Sequence, residues 1–255
     1  MGNGCLENRK RSFILNSEFC VSKFPLKAIA ACGFFLLAVL SNVRFAHAQE
    51  VIEPIAPRSS TWGTVTDVSV ATGGGVVALM PRVYYSDPES TVGWKGRWHV
   101  SSLMPAMTMT TLTFLVDGPI RKSIESTRPG CTLEQTKAAL PGSNCESFGG
   151  PSTHAFASWG AMGTGLGIFL MDTLKHSDGR FNLPAFVGNV FVPLSAAVVT
   201  SVGRSASPDD ARSYEKPGQI AAGAVSGLLT GLLVGTTYAW LQRPSCGYGD
   251  SIVCW

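Results

Sequence analysis

The chain contains few charged residues, only four histidines and no long run of basic residues. Charged side chains make up 15% of its 255 residues, well below the quarter that is usual in soluble proteins. The mean hydropathy is positive, at +0.19. Because the net charge is only +3, nucleic acid is an improbable partner. A chain of this length is sufficient for one domain with a core or for a compact membrane bundle.

The first 48 residues are typical of an export signal. Five cations between residues 9 and 27 precede the apolar run "AIAACGFFLLAVL" at residues 28–40. Ala46 and Ala48 then fit the small-residue rule for cleavage before Gln49. The basic region is long, so an uncleaved signal anchor is the alternative. Both interpretations direct the chain to a membrane and out of the cytoplasm.

Patterns that bind metal are missing from the sequence. There is no Cys-x-x-Cys pair, and no histidine stands near the four cysteines that follow the leader, so we predict no metal and no cofactor. Those cysteines form two local pairs, Cys131 with Cys145 and Cys246 with Cys254. An even number agrees with export to an oxidising compartment, where a Cys131–Cys145 bridge would staple one loop.

The remainder of the chain is predicted to be an all-α membrane bundle. Residues 49–61 form an extended segment, 62–242 the helical domain and 243–255 a C-terminal tail. Uncharged segments alternate with short charged ones, and we predict five spans after the signal, or six with it. The last two are long enough for about 20 residues per span. The five predicted spans cover residues 68–81, 100–116, 155–171, 181–203 and 220–241.

The fifth predicted span distinguishes a membrane bundle from a soluble helical protein. A soluble helix normally has a polar face at a period of 3.6 residues. Residues 220–241 have none, which favours the membrane. The same span carries four glycines at a strict four-residue step, a stripe that predicts close approach by another helix. They are Gly223, Gly227, Gly231 and Gly235.

The predicted topology brings two polar loops together outside the membrane. If the mature N-terminus is outside, residues 82–98 and 172–180 form inner loops, and 117–151 and 204–219 form outer loops. We expect Asp67 and Asp172, at span ends, to be interfacial and not proton relays. We expect His99 and His176 near the inner face.

The outer loops supply the groups that an oxyanion needs. Cations provide charge, hydroxyls provide directional donors and a histidine provides a proton. His154 stands at a predicted helix start, where free amides favour an anion. The alternative interpretation is a simple helix cap, with Ser152 or Thr153 at the N-cap. The candidate residues are Arg121, Lys122, Arg128, Ser152, Thr153, His154, Arg204, Arg212 and Lys216.

The order and spacing of these residues resemble the type 2 phosphatidic acid phosphatases, a superfamily that includes class A acid phosphatases and vanadium haloperoxidases. The family pattern is Lys-x6-Arg-Pro, then Pro-Ser-Gly-His, then Ser-Arg-x5-His-x3-Asp. The segments "RKSIESTRP" and "PSTH" match the first two motifs, and the resemblance covers residues 100–235. It implies a helical membrane phosphatase that acts on a lipid phosphate or pyrophosphate. The site would face the periplasm or exterior of a bacterial-type inner membrane.

The resemblance also implies residue roles. Arg121 stands in place of the family lysine, and Arg128 matches the arginine before proline. With Ser152, Thr153 and Arg204, these residues would bind the phosphate, and His154 would be the general acid. Thr153 replaces the family glycine, and arginine and lysine are not equivalent phosphate ligands.

The third motif departs from the family. Aligning "EKPGQ" on it puts Glu215 at the position of the nucleophilic histidine and Gln219 at that of its aspartate. The phosphohistidine route therefore lacks its nucleophile. The alternative function is a catalytically inactive relative that binds an anionic lipid headgroup or a protein partner.

Two other interpretations stay open. Asp209, Asp210 and Glu215 form a solvated acidic turn, or one of them replaces the nucleophile. A soluble periplasmic acid-phosphatase-like protein is the third possible function. The sequence leaves the oligomeric state unassigned.

Overall fold

Helices make up most of the described chain. The computed structural model describes residues 61–86, 93–139, 144–206 and 215–242. Helix accounts for 76% of them, which confirms the prediction of a mostly helical protein. The predicted leader, almost all of the extended segment at 49–61, the C-terminal tail and the acidic pair Asp209 and Asp210 lie outside the described residues.

The helices and strands follow one another with short connections. Residues 104–124 form one rod and residues 183–206 another, because in each a π turn joins two α-helical pieces. In chain order the elements are α1 (Thr61–Leu79), β1 (Arg82–Tyr85), β2 (Trp94–Arg97), a 3-10 turn (Val100–Leu103), α2 (Met104–Leu115), a π turn (Val116–Ile120), α3 (Arg121–Ile124), α4 (Leu133–Lys137), a 3-10 turn (Asn144–Glu146), α5 (Thr153–His176), α6 (Leu183–Phe186), a π turn (Val187–Phe191), α7 (Val192–Ala206) and α8 (Pro217–Leu241).

Each of the five predicted spans corresponds to a helical rod in the described residues. The first begins at Thr61, one residue before the predicted start of the helical domain at residue 62. The second begins with a 3-10 turn and runs on through Pro119, which lies inside the π turn, to Ile124. Two of the rods, Leu183–Ser205 and Pro217–Leu241, are long and apolar enough to cross a membrane.

The prediction of an all-α chain is wrong for the loop at residues 82–98. This segment contains an antiparallel hairpin in which Tyr85 pairs with Trp94. Their rings meet edge to face, with centroids 5.1 Å apart. The strands carry the β-branched and aromatic residues that favour a pleated surface, and the cross-strand aromatic pair adds to the stability of the hairpin.

Helix α8 exposes an apolar stripe on the side away from α5. Val225, Leu229 and Leu233 follow one another at a four-residue step, and their exposed fractions are 58%, 61% and 68%. Trp240 continues the stripe near the end of the helix and is 60% exposed. A continuous exposed apolar surface of this kind suits hydrocarbon better than water.

The opposite side of α8 packs directly on the backbone of α5. A Cβ added at Gly223, Gly227, Gly231 or Gly235 would lie 2.1–2.3 Å from a carbonyl oxygen of α5 or of its N-cap. The four carbonyls also follow a four-residue step, and they belong to Ser152, Phe156, Gly160 and Thr164. The predicted glycine stripe is therefore a contact surface that only glycine permits.

A buried ion pair joins the hairpin to the C-terminal end of α5. Arg82 donates hydrogen bonds to both carboxylate oxygens of Asp172, and both side chains are buried. Gln242, just after α8, donates to the carbonyl of Ser101 at 3.2 Å. The buried arginine partner offsets the cost of burying the Asp172 carboxylate, which the sequence placed only at a span end. His99 and His176 lie at this end, far along α5 from His154.

The glycine contact predicts a strong difference between two Gly→Ala substitutions. Gly231→Ala should lower the free energy of unfolding by about 1–3 kcal/mol, because its Cβ would overlap the backbone of Gly160. Gly74→Ala in α1 is the matched control, since no described atom lies within 4 Å of its added Cβ. It should raise stability by about 0.5–1 kcal/mol. Thermal unfolding in detergent measures both; equal effects would contradict this packing.

Candidate anion-binding site

Arg121 enters the site from the rod that begins with α2. Its side chain is buried, and Nη1 donates to Asp117 and, at 3.3 Å, to Oγ1 of Thr153. Nε and Nη2 of Arg121 are buried without a hydrogen-bond partner among the described residues. A guanidinium carries five donors in a planar fork, so part of this fork is open to a ligand.

Arg128 enters from the loop that follows α3. Its guanidinium donates to the carbonyl and hydroxyl of Ser147 at 3.3 and 3.2 Å. A disulfide bridge between Cys131 and Cys145, which the sequence left open, is present and closes this loop. The loop thereby holds a buried arginine at the N-terminal end of α5.

Ser152 and Thr153 begin helix α5. Ser152 is the N-cap, as one alternative predicted, and its hydroxyl accepts a hydrogen bond from the amide of Ala155 at 3.1 Å. Its own amide donates to the carbonyl of Gln219 at 2.9 Å. The hydroxyl of Thr153 accepts from Arg121, as described above. Both side chains thus have structural partners, since Ser152 caps the helix and Thr153 accepts from Arg121, and these contacts explain the two residues without a ligand.

His154 is held between an arginine and a carboxylate. Arg204, at the end of α7, donates to Nδ1 of His154. Because an arginine nitrogen cannot accept, Nε2 carries the imidazole proton, and it donates to Oδ1 of Asp67 at 2.8 Å. Asp67, which the sequence placed only at a span end, thus fixes the orientation of His154. Its side chain is 68% exposed, so the contact lies at the rim of the site.

Burial also keeps His154 neutral. It lowers the pKa of the imidazole below its ordinary value, and the positive charge of Arg204 lowers it further. Glu215 and Asp67 act in the opposite direction, by charge and hydrogen bonding, but more weakly. The general acid that the resemblance implies would therefore be uncharged near neutral pH, with its proton directed at Asp67.

Glu215 lies inside the site, and Gln219 lies beside it in a different role. Glu215 is fully buried, and its amide donates to the carbonyl of Arg204 at 3.1 Å. Gln219 donates to the hydroxyl of Ser126 at 2.8 Å and to the carbonyl of Thr127 at 2.9 Å. Gln219 therefore clamps the Arg128 loop to the start of α8, and the interpretation of Glu215 as part of a solvated acidic turn is wrong.

The charges of Arg121, Arg204 and Glu215 all affect the pKa of Arg128, so the four groups belong to one site. Burial lowers the pKa of Arg128 to about 10; Glu215 opposes this shift, whereas Arg121 and Arg204 add to it. The three arginines are only 5–8% exposed, and Glu215 is 0% exposed. In the part of the chain that the structure describes, three buried positive charges therefore share this site with one buried negative charge. An anion would reduce the repulsion among the arginines.

The described residues include no group of three or more side chains that could hold a metal ion. The arrangement is instead suited to an oxyanion, because arginine forks match the geometry of phosphate and carboxylate. Of the other predicted cations, Lys122 and Lys216 are exposed, and Arg212 lies outside the described residues.

No protein-family model matches the chain, and neither a curated protein nor a solved structure was found that matches it. The resemblance to the phosphatidic acid phosphatases therefore rests on the motif residues. Those residues do meet at one end of the described bundle, although they come from segments up to 94 positions apart in the chain, from Arg121 to Glu215.

The environment of His154 predicts that acid weakens the fold. The folded-state pKa lies below the ordinary value of 6.5, so the unfolded chain binds this proton more readily. The contribution of His154 to stability is therefore complete above about pH 6.5 and is lost as the pH falls toward the folded-state value. Thermal unfolding should show this loss in the wild type. His154→Gln, the control, should have a shallower pH dependence; identical profiles would contradict the assignment.

Proposed function

We propose that this protein is a multi-span membrane protein of the phosphatidic acid phosphatase type that binds the phosphate group of a lipid phosphate or pyrophosphate. The observation that carries this proposal is the burial of Arg121, Arg128 and Arg204 around one site, where Glu215 is the one buried counter-charge among the described residues. Nε and Nη2 of Arg121, which have no partner among the described residues, could also donate hydrogen bonds to a ligand oxygen.

Phosphate fits the three arginines better than a carboxylate does, because a carboxylate offers a single pair of charged oxygens. Several arginines can each direct N–H groups at a different oxygen of a tetrahedral anion. The first turn of α5 lies at the same place, so its amides and dipole favour negative charge as well. Removal of these charges from water makes each contact stronger than it would be at the surface.

The membrane setting follows from the leader and from the apolar helices. All five rods cross the membrane in this proposal, with Leu183–Ser205 and Pro217–Leu241 as the two that meet the criteria of length and hydropathy alone. The export signal directs the arginine site to the outer side of a bacterial-type inner membrane, facing the periplasm. The Arg82–Asp172 pair then lies near the inner face.

We further propose that binding is not followed by hydrolysis through a phosphohistidine. Glu215 takes the place of the nucleophilic histidine, and the amide of Gln219 is bonded to Ser126 and Thr127. His154 has its proton directed at Asp67. The phosphohistidine route needs a nucleophilic imidazole that is oriented by a carboxylate, and it needs a proton for the leaving group. Neither Glu215 nor Gln219 supplies such an imidazole.

Adjacent arginine and lysine residues provide a matched test of binding. Arg121→Gln should weaken the binding of inorganic phosphate and of short-chain phosphatidic acid about 10- to 100-fold, because it removes charged hydrogen bonds in a buried site. Lys122→Gln, one residue along and exposed, should change affinity less than twofold. Titration calorimetry on the purified protein in detergent measures both. Equal affinities for the two variants, with unchanged thermal unfolding, would contradict the proposal.

A phosphate-release assay tests the absence of hydrolysis. Lipid phosphates and pyrophosphates should give no more phosphate with the wild type than with His154→Ala. Release that is present in the wild type and lost in His154→Ala would overturn the non-catalytic part of the proposal. It would leave the binding part intact, because binding depends on the arginines.

A further inference from the structure

Glu215 is a buried carboxylate without hydrogen-bond partners in the described part of the chain, a feature that a pocket of arginines alone does not require. Its side chain is completely buried, yet neither carboxylate oxygen has a hydrogen-bond partner among the described residues. A buried carboxylate without partners is costly, because it has lost its water and gained nothing in return. Such a group in a native fold calls for a missing partner.

The missing partner belongs to the arginine site. Glu215 lies near Arg204, whose backbone carbonyl accepts from the Glu215 amide, and its charge opposes the lowering of the pKa of Arg128 and of His154. Nε and Nη2 of Arg121 are buried and also lack a partner among the described residues. The same site thus contains open donors on a guanidinium and open acceptors on a carboxylate, which do not satisfy each other.

These two sets of atoms require different things from a ligand. Arginine donates only, so the ligand must present acceptor oxygens to it. A carboxylate accepts only, so the ligand must present an O–H to Glu215. An oxyanion without a proton meets the first requirement and violates the second, because its oxygen and the carboxylate would repel each other.

We propose that Glu215 makes the site selective for a protonated oxyanion, the P–OH form of a phosphomonoester or of inorganic phosphate. This inference rests on the proposed function and specifies its ligand. The arginines bind the unprotonated oxygens, and Glu215 accepts the hydrogen bond from the remaining P–OH group. Sulfate has the same shape but no proton near neutral pH, and a phosphodiester has no P–OH, so Glu215 rejects both.

Competition between phosphate and sulfate tests the selectivity directly. At a pH of about 6, roughly half of a phosphomonoester carries the second proton. The wild type in detergent should bind inorganic phosphate at least tenfold more tightly than sulfate in titration calorimetry. Charge alone predicts the reverse order, because sulfate is a dianion under these conditions.

Glu215→Gln is the decisive variant. The glutamine amide has nearly the same size and can donate to an unprotonated oxygen, so sulfate affinity should rise and the preference should fall below threefold. Glu134→Gln, the same substitution at an exposed position of α4, should keep the wild-type preference. The wild-type ratio needs no variant, so the test holds even if Glu215→Gln fails to fold.

Two lipids distinguish the source of the phosphate. Short-chain phosphatidic acid carries a P–OH group, and short-chain phosphatidylglycerol is a diester that does not. Tight binding of phosphatidic acid with weak inorganic phosphate would assign the site to lipids, and similar affinities would assign it to free phosphate; both outcomes support the P–OH requirement. Equal binding of phosphate and sulfate, or of the two lipids, would overturn it. If Arg121→Gln also left binding unchanged, the failure would instead lie in the proposed function.

Discussion

The close contact between α5 and α8 is the constraint on which the rest of the structure depends. Four glycines of α8 lie against backbone carbonyls of α5 and its N-cap, so no larger side chain fits at these positions without moving the two helices apart. The first of these contacts joins Gly223 to Ser152, directly beside the start of α5. The carbonyl of Gln219 accepts a hydrogen bond from Ser152 at the same place. The packing of α5 against α8 is made by glycines and backbone carbonyls and not by side chains of the site, yet it sets the position of His154 relative to Glu215.

The two ends of this helix pair are closed by opposite kinds of polar structure. At the far end, Arg82 and Asp172 satisfy each other in a buried pair. At the other end, buried arginines outnumber the buried carboxylate, and donors and acceptors are left open. Because Arg82 and Asp172 form hydrogen bonds to each other, their burial needs no ligand and is part of the fold. An unsatisfied set of charges at the same depth points to a ligand, and this contrast within one molecule is why we assign a function to only one end.

Local patterns in the sequence were sufficient to predict several features. Apolar segments predicted the helical rods, and the four-residue glycine step predicted the close packing of α8. The local pairing of the cysteines made a bridge between Cys131 and Cys145 a candidate. The motif order also selected Arg128, His154 and Arg204, which the fold brings together. These predictions succeed because each depends on neighbouring residues or on one repeated interval.

The contacts that the sequence did not predict are pairs between distant segments. Asp67 lies on α1, 87 positions before its partner His154, and no spacing rule links the two. The partner of Asp172, Arg82, lies in a hairpin that the apolar pattern did not distinguish from a loop. The burial of Glu215 had no local signal either, since the residues beside it are polar. Long-range pairing of this kind becomes visible only once the helices are packed.

An experimental structure of the protein with bound phosphate is the most direct test of the central claim. We expect a tetrahedral anion that accepts from Arg121 on one side and lies within hydrogen-bond distance of the Glu215 carboxylate on the other. A Glu215 carboxylate bonded directly to the arginines, with no anion between them at saturating phosphate, would contradict the account. The site would then be a closed internal ion cluster, and the open donors and acceptors would satisfy one another without a ligand.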